Sequence, residues 1–332
     1  MNKIRYGVLS TAQIGIQKVI PAMQRGLLSE VTAISSRSLE KARQAARQCG
    51  IEKFYSSYEA MLADPDIDAV YNPLPNHLHC PWSIKAMEAG KHVLCEKPLG
   101  LNSSEIEALI RTRDRCSVKA AEAFMIKSSP QWQAARSKVR SGELGELRMI
   151  QGFFSYHNID PQNIRNIAEV GGGAMWDIGC YPVTVCRYLF EDEPRRVAAL
   201  LEFDPVMQTD RLGSVIMEFG SGQAHFGVST QLVPYQRVNI LGSKGRLEVV
   251  IPFNAPNDRP CIIRQDSGTL IEEEITTYSF DTMDQYTLQA DDFSRAILEN
   301  GPVKSTLEDG LKNTRVIRAI FAAARENCWI TL

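Results

Sequence analysis

The sequence predicts two domains: a doubly wound parallel α/β domain, and then an α+β domain with a large, open and mostly antiparallel sheet. Two observations predict this fold class. The first third of the chain alternates short apolar strands with helical segments, whereas the sequence after about residue 125 is rich in strands. The 332 residues also suffice for two separate cores. We expect the first domain over residues 1–125 and the second over 126–332, with C-terminal helices that can pack back on the first.

Helix ends as well as strands define the first domain. Ser38 can cap a helix that Gly50 stops, and Asn102 with Glu105 three residues later resembles a capping box. Strands that alternate with helices over short connections indicate a parallel sheet with right-handed crossovers. The predicted strands are 3–9, 31–37, 68–72, 91–96 and 118–124, and the predicted helices are 14–25, 38–49, 58–64, 81–90 and 106–114.

The second domain is predicted to be built mainly of strands. A helix near Pro130 to Ser141 opens it, and another helix begins near Gly173. Several strands alternate apolar and polar residues, which suits a sheet with one covered face. The predicted strands are 147–156, 195–203, 212–219, 224–233, 235–241, 246–253, 260–266 and 270–278, and two amphipathic helices, 286–299 and 307–327, follow them.

Charge and composition argue against several classes of partner. The net charge is −2, from 37 basic and 39 acidic residues without a block of like charge, so nothing favours nucleic acid or an anionic membrane. No apolar run is long enough to span a bilayer. No signal peptide is recognisable, so we expect a cytoplasmic protein. His77 and His79 form an H-x-H pair, but further ligands at zinc spacing are missing, so no metal site is expected.

The segment IRYGVLSTAQIG, residues 4–15, resembles the dinucleotide-binding turn of a Rossmann domain with some glycines replaced. We expect Gly7 to allow the bend from strand to helix. Ser10 and Ala12 stand where glycines are usual; Ala12 is still small, and the hydroxyls of Ser10 and Thr11 can bind phosphate. The helix that follows points its N–H groups at the anion. The cofactor contacts predicted here are Gly7, Ser10, Thr11, Ala12, Gln13 and Ile14.

The end of the second predicted strand indicates which dinucleotide binds. An NAD site usually has Asp or Glu there, to bind the ribose 2′-hydroxyl. This chain has Ser36 and Arg37 instead, and these side chains suit a 2′-phosphate. NADP(H) is therefore the favoured cofactor, with NAD(H) as the alternative.

Two further segments can carry chemistry. LCEKPLG, residues 94–100, follows the fourth predicted strand, and because ligands bind at the carboxyl ends of such strands, Lys97 should point toward the cofactor. In GGGAMWDIGCYPV, residues 171–183, Asp177 and Tyr181 are four residues apart and so share one helix face. Each segment taken alone also fits a structural reading, the first as a surface turn and the second as a buried Tyr–Asp pair.

Taken together, these segments resemble the glucose-fructose oxidoreductase/inositol dehydrogenase (Gfo/Idh/MocA) family over essentially the whole chain. The resemblance depends on GVLSTAQIG, ISSRS, YNPLPNHLH, CEKP, EAFM and GGGAMWDIGCYP, in this order. It implies a Rossmann domain, a sheet domain that often forms the oligomer interface, a nicotinamide cofactor and a sugar or related polyol as substrate. Tyr181 stands where inositol dehydrogenases have histidine, which resembles the branch with dihydrodiol dehydrogenases, NADP xylose dehydrogenases and sugar ketoreductases.

The resemblance also implies roles for the residues. Tyr181 would take or give the hydroxyl proton, with its pKa, ordinarily about 10, lowered by the Lys97 ammonium. Asp177 would orient Lys97 or the substrate hydroxyl, so Lys97, Tyr181 and Asp177 form the predicted catalytic set. Further cofactor contacts are expected at Pro73, Leu74, Asn76, His77, Glu96, Lys97, Arg165 and Trp176.

The preferred interpretation is an NADP(H)-dependent oxidoreductase, which transfers hydride to or from a sugar, a sugar derivative or a dihydrodiol. A sensor that binds the cofactor without turnover and an NAD-dependent glycosidase are the alternatives. Retention of Lys97 and Tyr181 argues against a sensor, and Ser36-Arg37 argues against the glycosidase. A homodimer or higher homo-oligomer is expected, because a broad sheet needs a cover.

Overall fold

The computed structural model describes residues 3–268 and 274–332. The chain divides into two compact units. The first runs to Ser128 and resumes over Asp284–Leu311, and the second comprises Ser129–Met283 and Lys312–Leu332. None of the described helices is long and apolar enough to cross a membrane.

The first unit contains a six-stranded parallel sheet in the order β3-β2-β1-β4-β5-β6. Its strands are β1 Ile4–Leu9, β2 Ser29–Ser35, β3 Lys53–Tyr55, β4 Ala69–Asn72, β5 His92–Glu96 and β6 Ala120–Ala123. Its helices are α1 Ile20–Arg25 after a π-helical turn Gly15–Val19, α2 Leu39–Cys49, α3 Tyr58–Leu62, α4 Asn76–Glu88, α5 Ser103–Cys116 and, after a long excursion of the chain, α8 Gln285–Leu298.

Two apolar layers cover the two faces of this sheet. Tyr6 and Val8 of β1 pack into one layer, which includes Phe293 of α8. Leu9 of β1 packs into the other, with Met61 of α3. Successive side chains of a strand point to opposite faces, so β1 contributes to both layers. The fold is therefore the doubly wound sheet that the sequence predicts, with the carboxyl ends of its strands at one edge.

The second unit contains a nine-stranded sheet in the order β14-β13-β12-β11-β7-β10-β9-β8-β15. Of its described neighbouring pairs, β7 and β10 are parallel and the others antiparallel. The strands are β7 Leu147–His157, β8 Arg196–Phe203, β9 Asp210–Glu218, β10 Gln223–Ser229, β11 Gln231–Gly242, β12 Arg246–Val249, β13 Cys261–Asp266, β14 Thr276–Phe280 and β15 Ile330–Thr331. The remaining helices are α6 Pro130–Arg140, α7 Cys180–Phe190 after a π-helical turn Met175–Gly179, and α9 Leu307–Glu326, which contains the boundary between the units.

The open, mostly antiparallel sheet is as predicted, with three differences in detail. The predicted strand 224–233 is two strands, β10 and β11, which meet at Thr230. The short strands β3 and β15 are additions to the prediction. Residues 270–273 of the predicted strand 270–278 lie outside the described residues, and β14 covers its end.

Candidate active site

The turn after β1 has the backbone shape of a phosphate-binding turn, and Ser10 provides it. Ser10 has a φ of +78°, in the left-handed region that favours glycine. Its Oγ accepts a hydrogen bond from the N–H of Ala12 at 3.3 Å, and the carbonyl of Ala12 accepts from the N–H of Ile16 at 3.1 Å. Ala12 thus starts the helical segment, whose first N–H groups lack partners of their own along the helix. Thr11 lies in the turn before this segment, and Gln13 and Ile14 are its first helical residues, so their roles as cofactor contacts remain predictions.

The role predicted for Gly7 is wrong. Gly7 lies inside β1, three residues before the left-handed residue Ser10, and so does not form the bend. A Cβ at Gly7 would lie 3.0 Å from Sδ of Met61 and 3.1 Å from Cδ1 of Ile67. The missing side chain therefore allows close packing of α3 against the sheet, while the special backbone angle that the motif requires is at Ser10.

Ser36 and Arg37 follow β2 at the same edge of the sheet. Ser36 is buried and its Oγ accepts from the N–H of Ser38 at 3.2 Å, so its hydroxyl hydrogen points elsewhere. Arg37 is exposed, and its guanidinium interacts with the hydroxyl of Tyr58. Burial raises the pKa of Tyr58, and Arg37 acts against that rise. Tyr58 therefore remains a neutral phenol that can orient the guanidinium at neutral pH.

The segment after β4 contains four of the predicted cofactor contacts. Pro73 and Leu74 are buried, and Asn76 and His77 start α4. The Nδ1 atom of His77 is buried and finds no hydrogen-bond partner within residues 3–268 and 274–332. A buried polar nitrogen without a partner is costly, so His77 is suited to a ligand that supplies one. Together with the turn at Ser10, this fits a dinucleotide at this edge.

Glu96 and Lys97 follow β5. One carboxylate oxygen of Glu96 accepts from the hydroxyl of Tyr71 at 2.7 Å, and the other accepts from the backbone N–H of Lys97 at 3.2 Å. Burial and the Glu96 carboxylate raise the pKa of Tyr286, which starts α8, to about 12, whereas Lys97 lowers it. Glu96 thus links the end of β5 to β4 through Tyr71. Its bond to the backbone N–H of Lys97 holds the backbone of that residue in place. The peptide bond between Lys97 and Pro98 is cis.

Asp177 and Tyr181 belong to the second unit, and both face β7. Oδ2 of Asp177 accepts from the Tyr156 hydroxyl at 2.6 Å and from Nε of Arg165 at 3.0 Å. The Tyr181 ring lies edge-on to Phe154, with ring centroids 5.7 Å apart. Phe154 and Tyr156 are two residues apart on one strand and so point to the same face. Asp177 and Tyr181 therefore project in one direction, although a π-helical turn precedes α7.

Charge surrounds the Asp177 carboxylate. The nearby carboxylate is the main cause that raises the pKa of Arg165, so this guanidinium stays protonated. Burial, and then the charge of Asp177, raise the pKa of Tyr156. Tyr156 therefore stays protonated and donates a hydrogen bond to Asp177. Trp176, in contrast, is buried and its ring packs 5.8 Å from that of Phe321, so packing accounts for it and its cofactor role stays a prediction.

Two of the three glycines before Asp177, Gly172 and Gly173, are explained by what surrounds them. A Cβ at Gly172 would lie 2.6 Å from the carbonyl oxygen of Arg165. Gly173 has a φ of +115°, and a Cβ there would overlap Oδ1 of Asp210. The other oxygen of Asp210 accepts from the N–H of Met175 at 2.6 Å. The glycines thus let a buried carboxylate bind the start of the helical segment that carries Asp177.

The structure adds residues that the sequence analysis missed. Tyr156 is separated from Asp177 by 21 positions, and Asp210 is separated from Met175 by 35. Only the alternation along β7, which puts Tyr156 beside Phe154 on one face, was a usable signal. Lys97 belongs to the first unit and Tyr181 to the second. Within residues 3–268 and 274–332, no group of three His, Cys, Asp or Glu side chains could hold a metal.

A doubly wound unit with this phosphate turn, joined to a sheet unit that holds a carboxylate and a phenol, defines a nicotinamide-dependent oxidoreductase. Residues 4–124 match the model of an oxidoreductase family with an NAD-binding Rossmann fold, and residues 132–248 match the GFO/IDH/MocA C-terminal domain. The chain belongs to the GFO/IDH/MocA family of oxidoreductases. This confirms the resemblance, the enzyme class and the nicotinamide cofactor inferred from the sequence.

Named relatives cover nearly the whole chain. An uncharacterised oxidoreductase of Rhizobium meliloti is 46% identical, with 100% of both chains covered. An NADP⁺-dependent D-xylose 1-dehydrogenase of Haloferax volcanii is 34% identical over 98% of this chain and 99% of that one. A 3-ketoreductase from Actinomadura kijaniata, solved with TDP-benzene and NADP as a variant with phenylalanine in place of a tyrosine, superposes with a TM-score of 0.90 at 28% identity, over 97% of this chain and 98% of that one. The chain is therefore an NAD(P)-dependent enzyme of a family that acts on sugars.

Proposed function

We propose that the protein is an NADP(H)-dependent oxidoreductase that interconverts a hydroxyl and a carbonyl group on a sugar or sugar derivative. The observation that carries this proposal is the pair of tethered ionisable groups. Asp177 is held by two donors on the face that Tyr181 shares, and Lys97 follows β5 with its backbone fixed by Glu96. A binding protein without turnover needs no such groups beside a phenol that can transfer a proton.

The preference for NADP(H) rests on Ser36 and Arg37. No carboxylate side chain stands at either position, where an NAD-binding domain usually has one for the 2′-hydroxyl. Arg37 is exposed and oriented by Tyr58, so its guanidinium can form charge-assisted hydrogen bonds with a 2′-phosphate. The diphosphate would lie at the helix start after Ser10, from Thr11 to Ile14.

Bound dinucleotide supplies or accepts the hydride. Tyr181 gives a proton to the substrate oxygen during reduction and takes it during oxidation. The Lys97 ammonium stabilises negative charge on that oxygen and on the phenolate. Asp177, fixed by Tyr156 and Arg165, accepts a hydrogen bond from a substrate hydroxyl and sets its orientation. His77 and Asn76 would contact the nicotinamide side of the bound cofactor.

The proposed substrate class rests on the chemistry of these side chains. A carboxylate, a phenol, an ammonium and a guanidinium can each bind a hydroxyl group, which suits a molecule with several hydroxyls. The D-xylose dehydrogenase and the ketoreductase among the relatives support sugars. We therefore propose an aldose or a keto-sugar rather than an apolar alcohol.

The test is a panel of aldoses, keto-sugars and dihydrodiols with each nicotinamide in both oxidation states, followed by the absorbance of the reduced nicotinamide. Turnover of a sugar with NADP(H), lost in Lys97→Ala, supports the proposal. Turnover of dihydrodiols alone would replace the substrate class. Cofactor binding without turnover of any compound would instead favour the sensor.

A further inference from the structure

We propose that His79 is a positioning residue, which fixes the Lys97 loop to the segment after β4 and so sets where the Lys97 ammonium acts. This inference rests on the proposed function of Lys97. Neither a metal site nor direct catalysis is needed for it, because both ring nitrogens of His79 are turned toward the backbone.

His79 lies in the first turns of α4 and is buried. Its Nδ1 lies 2.7 Å from the carbonyl oxygen of Pro98, the residue after Lys97. Its Nε2 lies 2.6 Å from the carbonyl oxygen of Leu74, in the segment that follows β4. One imidazole ring thus spans two loops at the carboxyl edge of the sheet, both of which contain predicted cofactor contacts.

A carbonyl oxygen only accepts hydrogen bonds, so each ring nitrogen must carry a proton to bind its partner. A neutral imidazole has one N–H and an imidazolium has two. Burial lowers the pKa of His79 to about 4, with the two carbonyls acting against that and Lys97 and His77 adding to it. At neutral pH the ring therefore donates to one of the two carbonyls at a time, and which one depends on the tautomer.

Other side chains complete the support of the same loop. Oε1 of Glu122, at the end of β6, accepts from the N–H of Leu99 at 2.9 Å. Sγ of Cys80, the neighbour of His79, donates to the carbonyl of Leu99 at 3.4 Å. With Glu96 on the N–H of Lys97, side chains from three elements hold three consecutive residues. His79 differs from Glu122 and Glu96 because it joins this loop to the Leu74 segment.

The consequence for catalysis is positional. A catalytic group that moves by about 1 Å can lose on the order of 10²-fold in rate. Removing the ring nitrogens of His79 removes the hydrogen bond to whichever of the two carbonyls accepts it and lets the two loops separate. Lys97 would keep its charge, but its ammonium would no longer be held in position.

The experiment compares His79→Phe, which keeps a ring of similar size, with His79→Asn, which keeps an N–H donor. We expect kcat with the sugar found by the panel to fall by about 10- to 100-fold in His79→Phe, and by less in His79→Asn. Dissociation constants of NADP should change by less than kcat does, because the phosphate contacts after Ser10 are elsewhere. In Lys97→Ala, adding His79→Phe should cost little more, since the group that it positions is already gone.

The matched control is His92→Phe. His92 starts β5 at the opposite end of the strand, and its Nδ1 accepts from the N–H of Lys119 at 2.8 Å. This variant also loses a ring-to-backbone hydrogen bond, and we expect it to lower thermal stability while leaving kcat unchanged.

Two outcomes would separate the inference from the proposed function. A normal kcat in His79→Phe, or losses that simply add to those of Lys97→Ala, would overturn the role of His79 while a slow Lys97→Ala enzyme upholds the proposed function. A fully active Lys97→Ala enzyme would overturn the proposed function itself. Should His79→Phe fail to fold, His79→Asn can replace it in the same comparison with Lys97→Ala. A loss of kcat in His79→Asn that disappears in the Lys97→Ala background supports positioning. A loss that persists there rejects it.

Discussion

Gly173 has no Cβ because the carboxylate of Asp210 occupies that space. The φ of +115° at Gly173 turns the backbone so that Asp210 reaches the N–H of Met175 at 2.6 Å. The helical segment bound in this way carries both Asp177 and Tyr181. The buried side chain of Asp210 therefore holds the segment that carries the proposed catalytic residues. Its protonation should affect the stability of the folded protein.

Stability should depend on the charge of Asp210. Burial raises the pKa of Asp210 in the folded protein to about 7, from an ordinary value of 3.8, although backbone N–H groups lower it. Between these values the folded state binds more protons than the unfolded state, so stability falls as pH rises through this window. Asp210→Asn cannot ionise, and we expect its free energy of unfolding to lack this decline.

Chemical denaturation at several pH values from about 4 to 8 measures both slopes. The control is Asp258→Asn, which removes the same charge at an exposed ion pair with Arg259. It should leave the slope of the wild-type protein unchanged. If the free energies of unfolding of the wild type and of Asp210→Asn change with pH in the same way across this range, Asp210 is not the titrating group.

Arg37→Ala should change which cofactor binds. A hydrogen bond to a charged group is worth about 1.5–3 kcal/mol, or roughly tenfold to over a hundredfold in affinity. We expect NADP binding to weaken by that order and NAD binding to stay nearly constant, as measured by calorimetry. Tyr58→Phe, which removes the partner of Arg37 but keeps the charge, should have a smaller effect. Equal losses for NADP and NAD in Arg37→Ala would reject the assignment.

Local signals in the sequence predicted much of this molecule. Ser38 accepts from the N–H of Lys41, and Asn102 accepts from the N–H of Glu105, because a helix cap involves neighbours a few residues apart. The parallel sheet of the first unit followed from the alternation of strands and helices, and the covered face of the second sheet followed from the alternation of apolar and polar residues. The prediction for Gly7 was wrong because the motif usually has its first glycine at the bend from strand to helix. Here the strand continues for two residues beyond Gly7.

Contacts between distant segments could not be predicted in the same way. Tyr156 and Asp210 support the Asp177 segment from other strands, and apart from the alternation along β7 nothing in their own neighbourhood in the sequence marks them. His79 belonged to a recognisable H-x-H pair, but its partners are backbone carbonyls, which any residue supplies. Side-chain identity predicted the chemistry of the site, while packing of the strands determined which residues support it.

The outer face of the nine-stranded sheet should join two copies of the chain. Leu200 of β8 and Ile216 of β9 are 75% and 46% exposed, and on β11 Val233 is 77% exposed. Exposed apolar side chains on a sheet favour an interface, and a twofold axis lets one surface bind itself. We expect light scattering to give a dimer at micromolar concentration. Ile216→Glu should yield monomers, whereas Leu298→Glu, at an exposed residue of α8, should not. A monomeric wild-type protein would contradict the proposal.

If Tyr181 transfers the proton and Lys97 tunes it, their substitutions should be non-additive. Tyr181→Phe keeps the ring that packs against Phe154 and Phe253, so the fold should survive. General acid–base catalysis contributes about 10²–10⁴-fold, and kcat should fall by that order. Lys97→Ala should fall at least as far, because charge stabilisation is lost too, and the double variant should be little slower than the slower single one. Tyr188→Phe, also on α7, should keep its activity. A Tyr181→Phe enzyme with near-normal kcat across pH would make Lys97 the proton-transfer group.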